Sequence, residues 1–200
     1  MAFHITDGIL TRYTEERGVI SVIIPEIVTK IGSCAFEWCD SIAYVKIPET
    51  VTEIGKGAFY GCENLGEIYI GGYLFPYKSV GIFERIHQGL EMIVKKDFSM
   101  KMDTSLKYPL TLDFYQKTGN EKAFTYLKKH FTKVMIYLIT KNDTEMINFL
   151  IQTGKFFTKR NIDKLIEKAI DRNAHEIYVI LLNYKNEHIG YADIEKRFKL

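Results

Sequence analysis

The sequence has little cysteine, no long apolar run and no basic leader. Its 200 residues include only three cysteines, an odd and sparse set that does not suit a disulfide framework. No stretch approaches the roughly 18 apolar residues that a bilayer-spanning helix needs. The first ten residues lack a basic segment followed by an apolar one, so a cytoplasmic location is expected. A surface or secreted location is expected instead if a signal peptide has been removed.

Short motifs that carry chemistry are absent as well. The chain has no Walker motif, no H-E-x-x-H and no G-x-S-x-G. Cysteine and histidine do not occur in pairs at metal-ligand spacing, so neither a metal site nor a cofactor is predicted. The five scattered histidines are interpreted as surface residues, and no catalytic residue is assigned.

Charge is unevenly distributed along the chain, although the net charge is only +2. Residues 1–100 carry 9 basic and 13 acidic side chains, and residues 101–200 carry 18 and 12. This asymmetry indicates a chain of two parts. Two basic runs, Lys128-Lys129-His130 and Lys159-Arg160, would bind nucleic acid only if they shared one surface. Because the helical spacing places lysines outward among acids, a solvated surface is the interpretation, and no nucleic-acid partner is predicted.

Residues 20–65 contain the same 23-residue pattern twice. The two copies align without a gap as ISVIIPEIVTKIGSCAFEWCDSI and AYVKIPETVTEIGKGAFYGCENL. A third copy begins at Ile68 and Ile70 and then fades. A fixed period in the twenties is typical of a solenoid, in which each copy forms one coil that cannot bury a core alone.

Each copy contains a short strand, a proline and a returning segment. Val22 and Ile24 point to one side of the first strand, and Pro25 ends it because proline cannot donate to a β-ladder. Gly32 and its equivalent Gly55 are predicted to allow a tight bend. The other predicted core residues are Val28, Ile31, Val51 and Ile54 in the returning segments, Phe36 and Phe59 in an aromatic spine, and Cys39 and Cys62 as stacked reduced thiols.

Before the first copy, Phe3 to Tyr13 are predicted to form a β-hairpin that caps the first coil. Asp7-Gly8 between alternating apolar residues is a strong turn signal. A cap is useful here because an uncovered strand edge invites aggregation.

The repeat resembles a known family. Both copies follow the pattern I-P-x-x-V-T-x-I-G-x-x-A-F-x-x-C-x-x-L, which is typical of the BspA-type (Treponema pallidum-type) leucine-rich repeat. The similarity covers residues 3–75, and Gly71 stands where a third proline is expected. The resemblance implies a protein that binds other macromolecules, often at a cell surface or after secretion, and it brings no catalytic residues.

The strand face of the repeats is the predicted protein-binding surface. Side chains between the buried positions point outward, and the period of 23 stacks them in two columns. The columns contain Ser21, Tyr44 and Glu67, and Ile23, Lys46 and Tyr69. Tyrosines beside an aliphatic residue and mixed charges suit a protein-binding surface, but they also stabilise a sheet that binds nothing.

The only tryptophan, Trp38, is a further candidate for binding. It is assigned to the place that Tyr60 holds in the next copy, on the outer rim of the coil. There it is expected to be either a contact residue or a partly buried plug.

The rest of the chain is predicted to be helical. In the connecting and capping segment, residues 76–107, Ser79 is expected to start an amphipathic helix. Its apolar face contains Phe83, Ile86, Leu90 and Ile93. Within the helical domain, residues 108–200, three capping boxes mark helix starts. They are Thr118-x-x-Glu121, Asn142-x-x-Glu145 and Asn173-x-x-Glu176.

Two of these boxes, at Asn142 and Asn173, are 31 residues apart, and so are Leu150 and Leu181. The offset predicts a degenerate helix-pair repeat, faintly similar to ankyrin repeats, with a plain helical bundle as the alternative. The predicted fold class is therefore α+β, with a short leucine-rich-repeat β-solenoid over residues 1–75 followed by an all-helical region.

The predicted function is non-enzymatic protein–protein interaction through the strand face. The alternative is an enzyme or effector with its active site in the helical half and the repeats as a recognition arm. A cleft lined by His87, Asp97 or Asp113 would favour that alternative. End-to-end assembly of the short solenoid is a third possibility, and the oligomeric state is left open.

Overall fold

The computed structural model of the chain describes residues 2–77 and 83–190. The chain divides into two compact units, Met1–Ala123 and Phe124–Leu200. In the first unit the strands come first and helices follow, and the described elements of the second unit are helices, so the predicted α+β class is confirmed. The division does not fall at residue 75 or 107, because the helices after residue 75 pack with the strands. The predicted domain limits stay a prediction.

The first unit contains eight strands among its described residues. They are β1 (Ala2–Thr6), β2 (Ile9–Thr14), β3 (Ser21–Ile23), β4 (Lys30–Ile31), β5 (Tyr44–Ile47), β6 (Glu53–Ile54), β7 (Glu67–Ile70) and β8 (Tyr73–Phe75). The helices that follow are α1 (Phe83–Lys95), α2 (Thr104–Thr118) and α3 (Glu121–Lys129), and the division between the units falls inside α3.

The strands form two sheets whose pairing repeats the period of the sequence. The orders are β1-β2-β4-β6 and β3-β5-β7-β8. Parallel pairing joins residues 23 apart: Val22 lies opposite Val45, Val45 opposite Ile68, and Ile31 opposite Ile54. Each copy therefore makes one coil, and the coils stack in register. Equivalent apolar positions meet in the interior, where Val22, Val45 and Ile68 are each 0% exposed.

The predicted N-terminal hairpin is confirmed. Strands β1 and β2 pair antiparallel around Asp7 and Gly8, whose φ angles of 49° and 75° suit a tight hairpin turn. Strand β2 then pairs in parallel with β4, so the hairpin covers the first coil on one of its two sheets. On the other sheet β3 is the edge strand.

An aromatic spine runs through the hairpin and both coils. The ring centroids of Phe3 and Tyr13 are 5.3 Å apart, those of Tyr13 and Phe36 5.2 Å, and those of Phe36 and Phe59 5.1 Å. The predicted Phe36–Phe59 stack is confirmed, and the hairpin extends it by two rings. Burial of a phenylalanine side chain stabilises a fold by about 1.5–3 kcal/mol, so the spine is a main part of this core.

The two repeat glycines have a role different from the predicted bend. Neither Gly32 nor Gly55 has a positive φ angle. A Cβ atom on Gly55 would lie 2.3 Å from the backbone nitrogen of Ser33, and one on Gly32 would lie 3.0 Å from the carbonyl oxygen of Leu10. Glycine is required here because neighbouring coils approach too closely for any side chain.

The far end of the coils is closed by β8 and two helices. Strand β7 turns antiparallel into β8, which is where the third copy ends. The predicted capping helix is confirmed as α1, since Ile86, Leu90 and Ile93 are buried and α1 packs against β6 and α2. The Tyr73 hydroxyl on β8 donates a hydrogen bond to Asp113 Oδ2 on α2 at 2.6 Å. The predicted start of α1 at Ser79 lies outside the described residues.

The second unit contains equivalent helices at the predicted offset of 31. They are α4 (Phe131–Lys141), α5 (Thr144–Gln152), α6 (Ile162–Asp171) and α7 (His175–Tyr184), followed by a π-helical turn, Lys185–Ile189. Helix α4 packs against α5 and α6, and α7 packs against α6 and α5. Among the described residues, no helix is both long and apolar enough to cross a bilayer.

Two predicted helix starts are instead helix ends. Asn142 and Asn173 adopt left-handed φ angles of 53° and 54° directly after the last turns of α4 and α6. Asparagine visits this region more readily than most residues, so the two residues stop equivalent helices in the same way. The start of α5 is capped by Asp143, whose side chain accepts a hydrogen bond from the Met146 N–H at 3.0 Å.

The first predicted box is also displaced. Asn120 caps α3, since its Oδ1 accepts hydrogen bonds from the N–H groups of Lys122 and Ala123, each at 3.1 Å. Thr118 belongs to the last turn of α2, where its hydroxyl donates to the Phe114 carbonyl.

Candidate protein-binding surface

The predicted columns of the strand face are present in the structure. Ser21 lies opposite Tyr44 and Tyr44 opposite Glu67, while Ile23 lies opposite Lys46 and Lys46 opposite Tyr69. Ser21, Ile23, Lys46 and Glu67 are exposed, and the two tyrosines are half-buried. The sheet therefore brings all six residues together on one side, and their binding role stays a prediction.

The two tyrosines contact each other across neighbouring strands. The ring centroids of Tyr44 and Tyr69 are 5.3 Å apart, with their planes tilted by 41°. Each ring is thereby fixed against the other, so less side-chain freedom remains to be lost when a partner binds. Leu74 on β8 lies opposite Tyr69 and extends the second column. The sequence pattern missed Leu74 because the third copy fades before β8.

An apolar edge adjoins the face at β3. Ile20, Ile23 and Ile27 are 62%, 60% and 69% exposed. The Ile20 carbonyl accepts a hydrogen bond from the Tyr44 N–H at 3.0 Å, so the even-numbered peptide groups point toward β5. Because alternate peptide groups point in opposite directions, those of Ser21 and Ile23 face the outer edge.

Two members of the apolar edge, Ile20 and Ile27, were missed by the strand pattern. A signal was available, since the second copy has Ala43 and Thr50 at these positions. These isoleucines are large, apolar and outward-facing in the first copy alone. Packing of the coil does not require them, so they depart from the repeat for another reason.

The structure corrects the assignment of Trp38. Its equivalent is Gly61, not Tyr60, and both residues adopt left-handed φ angles, of 59° and 75°. The Trp38 N–H donates a hydrogen bond to the Tyr60 carbonyl at 2.9 Å, and the two rings meet edge to face with centroids 5.3 Å apart. A Cβ on Gly61 would lie 2.4 Å from Trp38 Cε3. The indole is therefore laid over the next turn and remains 59% exposed.

Trp38 also borders an open cleft of about 580 Å³ between the hairpin and the first outer turn. The cleft is lined by Arg12, Tyr13, Glu15 and Cys39 among others, and by none of the six residues of the strand face. Burial raises the pKa of the Cys39 thiol to about 11, so the group stays protonated and weakly nucleophilic. Trp38 is therefore separate from the strand face.

The three residues named for an enzymatic site have separate local partners. His87 Nε2 lies 4.0 Å from Glu91 and borders a space of only about 10 Å³. Asp97 accepts hydrogen bonds from the Ser99 hydroxyl and N–H, which lower the pKa of the Asp97 carboxyl. Asp113 accepts the Tyr73 hydroxyl and pairs with a lysine one turn away. The described geometry gives these side chains structural roles.

The coils have three features that are typical of a leucine-rich repeat protein. They are parallel ladders at an offset of 23, a stack of phenylalanine rings, and strands that end at proline. Residues 13–112, half of the chain, match the family model described as "BspA type Leucine rich repeat region (6 copies)". The chain belongs to this family, as the repeat residues predicted. Searches of curated proteins and of solved structures found no significant match.

Proposed function

We propose that the coils of the first unit form a short leucine-rich solenoid that recognises another protein through its strand face, without catalysis. Repeats of this family generally mediate protein–protein interaction. The helices of the second unit extend the chain as degenerate helix pairs, which we favour over a plain bundle because each helix packs against its equivalent in the next pair. The observation that carries the proposal is the difference between the two sheets.

On the other sheet, the charges of the two coil strands pair with each other. Lys30 and Glu53 lie opposite one another on β4 and β6, and their side chains form an ion pair at 2.7 Å. On the strand face, Lys46 and Glu67 have no ion-pair partner among the described residues. Unpaired charges beside a tyrosine pair and an exposed isoleucine give the strand face the mixed character of a protein interface, whereas the coil strands of the other sheet carry a charge pair that is already satisfied.

Site-specific photo-crosslinking tests whether this face contacts the partner. The photoreactive residue benzoylphenylalanine would replace Tyr44 or Tyr69 in one pair of variants and the exposed Tyr60 in a control. We expect the first two variants to crosslink one common protein from cells of the source organism, and the Tyr60 variant to leave it uncaptured.

A competitor makes the test specific for the face. Excess wild-type chain should suppress the crosslink, and the folded variant Tyr44→Ala/Lys46→Ala/Tyr69→Ala should not. Equal capture from Tyr60, or equal suppression by the triple variant, would remove the strand face from the proposal. Circular dichroism and thermal melting establish that each variant is folded.

A second candidate function is end-to-end assembly, and the apolar edge of β3 favours it. An open strand edge flanked by Ile20, Ile23 and Ile27 is the kind that soluble proteins usually avoid, because it pairs with other chains. Sedimentation of the wild type and of Ile23→Lys over a range of concentrations tests this function. Association that Ile23→Lys abolishes supports it, and a wild-type monomer at all concentrations excludes it.

A further inference from the structure

Basic side chains gather on one surface of the second unit. Lys128, Lys129 and Lys133, at the junction of α3 and α4, line a cleft of about 290 Å³ together with Asn161. Asn161 directly follows Lys159 and Arg160, so the second basic run lies next in the chain to a residue that lines this cleft. All five basic side chains are exposed.

A cluster of aromatic rings holds the two basic runs together. Lys128 Nζ and Lys155 Nζ lie 5.4 Å and 5.6 Å from the centroid of the same Phe124 ring. Phe156 contacts both Phe124 and Phe131, each at 5.3 Å between ring centroids. The loop before α6 is thereby fixed against the α3–α4 junction. The sequence predicted that these two basic runs could act as a binding surface only if they shared one surface, and the aromatic cluster brings them together.

The basic residues follow the same offset as the helices. Lys128-Lys129 lie 31 residues before Lys159-Arg160, which is the offset that relates α4 to α6. Each helix pair therefore presents a basic pair just before its first helix. The positive ends of α4 and α6 lie beside these pairs, and neither His130 nor Asn161 caps them with a side-chain hydrogen bond, which adds to the positive potential.

Acidic residues are absent from the two segments that carry this basic surface. Residues 122–142 and 146–162 contain no Asp or Glu. Elsewhere in the unit two lysines are paired with acids: Lys168 with Asp171 at 2.7 Å and Lys185 with Asp163 at 2.6 Å. Within the described residues, the lysines and arginine of the cluster have no such pair. The lysines point outward as predicted, but these two segments lack the acids that the interpretation of a solvated surface placed among them.

We propose that this basic surface, formed by Lys128, Lys129, Lys133, Lys155, Lys159 and Arg160, binds an acidic segment of a partner protein. Its unpaired positive charges are complementary to a run of carboxylates. The cleft is large enough for a few side chains. Phe131, Phe156 and Phe157 are buried, so they offer no platform for nucleic-acid bases to stack on, and a peptide is the better fit.

The test uses the full chain and a fluorescent octaglutamate peptide as the probe, with binding followed by anisotropy. The variant Lys129→Glu/Arg160→Glu alters the basic surface. The control Lys141→Glu/Arg172→Glu makes the same charge change at exposed residues with the same 31-residue spacing, at the opposite ends of α4 and α6. We expect the first variant to weaken binding by about tenfold or more and the control by less than about twofold. Helical circular dichroism and melting establish that both are folded.

Three results would overturn the proposal. The first is equal weakening by the two variants, which would assign binding to net charge alone. The second is no binding of the peptide to the wild type at low ionic strength, where screening is weakest. The third is tighter binding of an oligonucleotide with eight phosphates than of octaglutamate at the same ionic strength, which would make nucleic acid the occupant.

Discussion

The two units of this chain repeat themselves by different physical means. In the first, equivalent residues 23 apart are joined by backbone hydrogen bonds, as in the bond from the Thr52 N–H to the Thr29 carbonyl at 2.9 Å. In the second, equivalent residues 31 apart are related only through helices that pack side by side. Backbone hydrogen bonds between coils set the register of every residue in the paired strands. Packing between helices constrains only which positions are apolar and where the helices end.

Residue identities reflect this difference. Positions of close backbone approach in the coils repeat the same residue, as Gly32 and Gly55 do. Buried positions of the helices accept different residues of apolar character, such as Phe131 and Ile162, which are 6% and 0% exposed. The helices repeat identity at only a few positions, among them the left-handed Asn142 and Asn173 and the buried Leu150 and Leu181.

The largest contrast that can be measured concerns the cysteines, which occur only in the first unit. Burial raises the pKa values of Cys39 and Cys62 to about 11 and about 12, while Cys34 is exposed. At pH 8 we expect Cys34 to be alkylated more than about a hundredfold faster than the other two, because the thiolate is the reactive form. Mass spectrometry of timed labelling measures the rates, and similar rates at all three thiols would show that the coils are not closed.

The same thiols make the first unit sensitive to high pH. Unfolding returns each thiol to its ordinary pKa of 9.0, below the folded values of about 11 and 12. Stability from these groups is therefore complete below pH 9 and is lost as the pH rises toward 12. Thiol labelling reports this unfolding in the first unit alone, and unchanged protection up to pH 11 would contradict it.

A pair of glycine variants compares the two units directly. In Gly55→Ala the new Cβ would meet the Ser33 backbone, and we expect a loss of about 3 kcal/mol or more in the free energy of unfolding. In Gly154→Ala no atom would lie within 4 Å of the new Cβ, but the φ angle is 64°. We therefore expect only the left-handed backbone to reduce the free energy of unfolding, by about 1 kcal/mol. Urea unfolding measures both. Equal losses would mean that the coils can separate to admit a side chain.

The smallest effect concerns the helix ends. Asp143→Ala removes the cap of α5, and we expect a loss of about 1 kcal/mol. Asn142→Gly should cost nothing, because glycine adopts the left-handed conformation of this residue freely. Urea unfolding of the two variants shows whether Asp143 or Asn142 caps α5. A larger loss of unfolding free energy for Asn142→Gly would support Asn142 as the cap, as the sequence pattern predicted.

The contrast between the units also explains what the sequence could predict. The coil strands, the Phe36–Phe59 stack and the two outward columns followed from the period of 23, because the same register governs sequence and hydrogen bonding. The hairpin followed from the turn signal at Asp7-Gly8. The predicted helix starts at Asn142 and Asn173 were wrong because asparagine is favoured both before the first turn and after the last turn of a helix. A box pattern alone does not distinguish these two uses.

The parts of the surface that sequence reasoning missed depend on contacts between distant residues. The apolar edge could be predicted only from the sheet order, which shows that the hairpin covers one sheet and leaves β3 at the edge of the other. The basic surface needed the packing of Phe156 on Phe124 and Phe131, which brings runs 31 residues apart to one cleft. The sequence shows the exceptional isoleucines and the 31-residue offset of the basic pairs, but it does not show which of these residues share an uncovered surface.

The most direct test of the central claim is the affinity for a partner captured by photo-crosslinking. Calorimetry would compare the wild type, the strand-face variant Tyr44→Ala/Lys46→Ala/Tyr69→Ala, and the control Lys30→Ala/Glu53→Ala on the other sheet. Recognition by the strand face predicts a loss of about 2 kcal/mol or more for the first variant, as expected for a buried tyrosine hot spot, and unchanged affinity for the control. Full affinity in the first variant, or an equal loss in both, would contradict it.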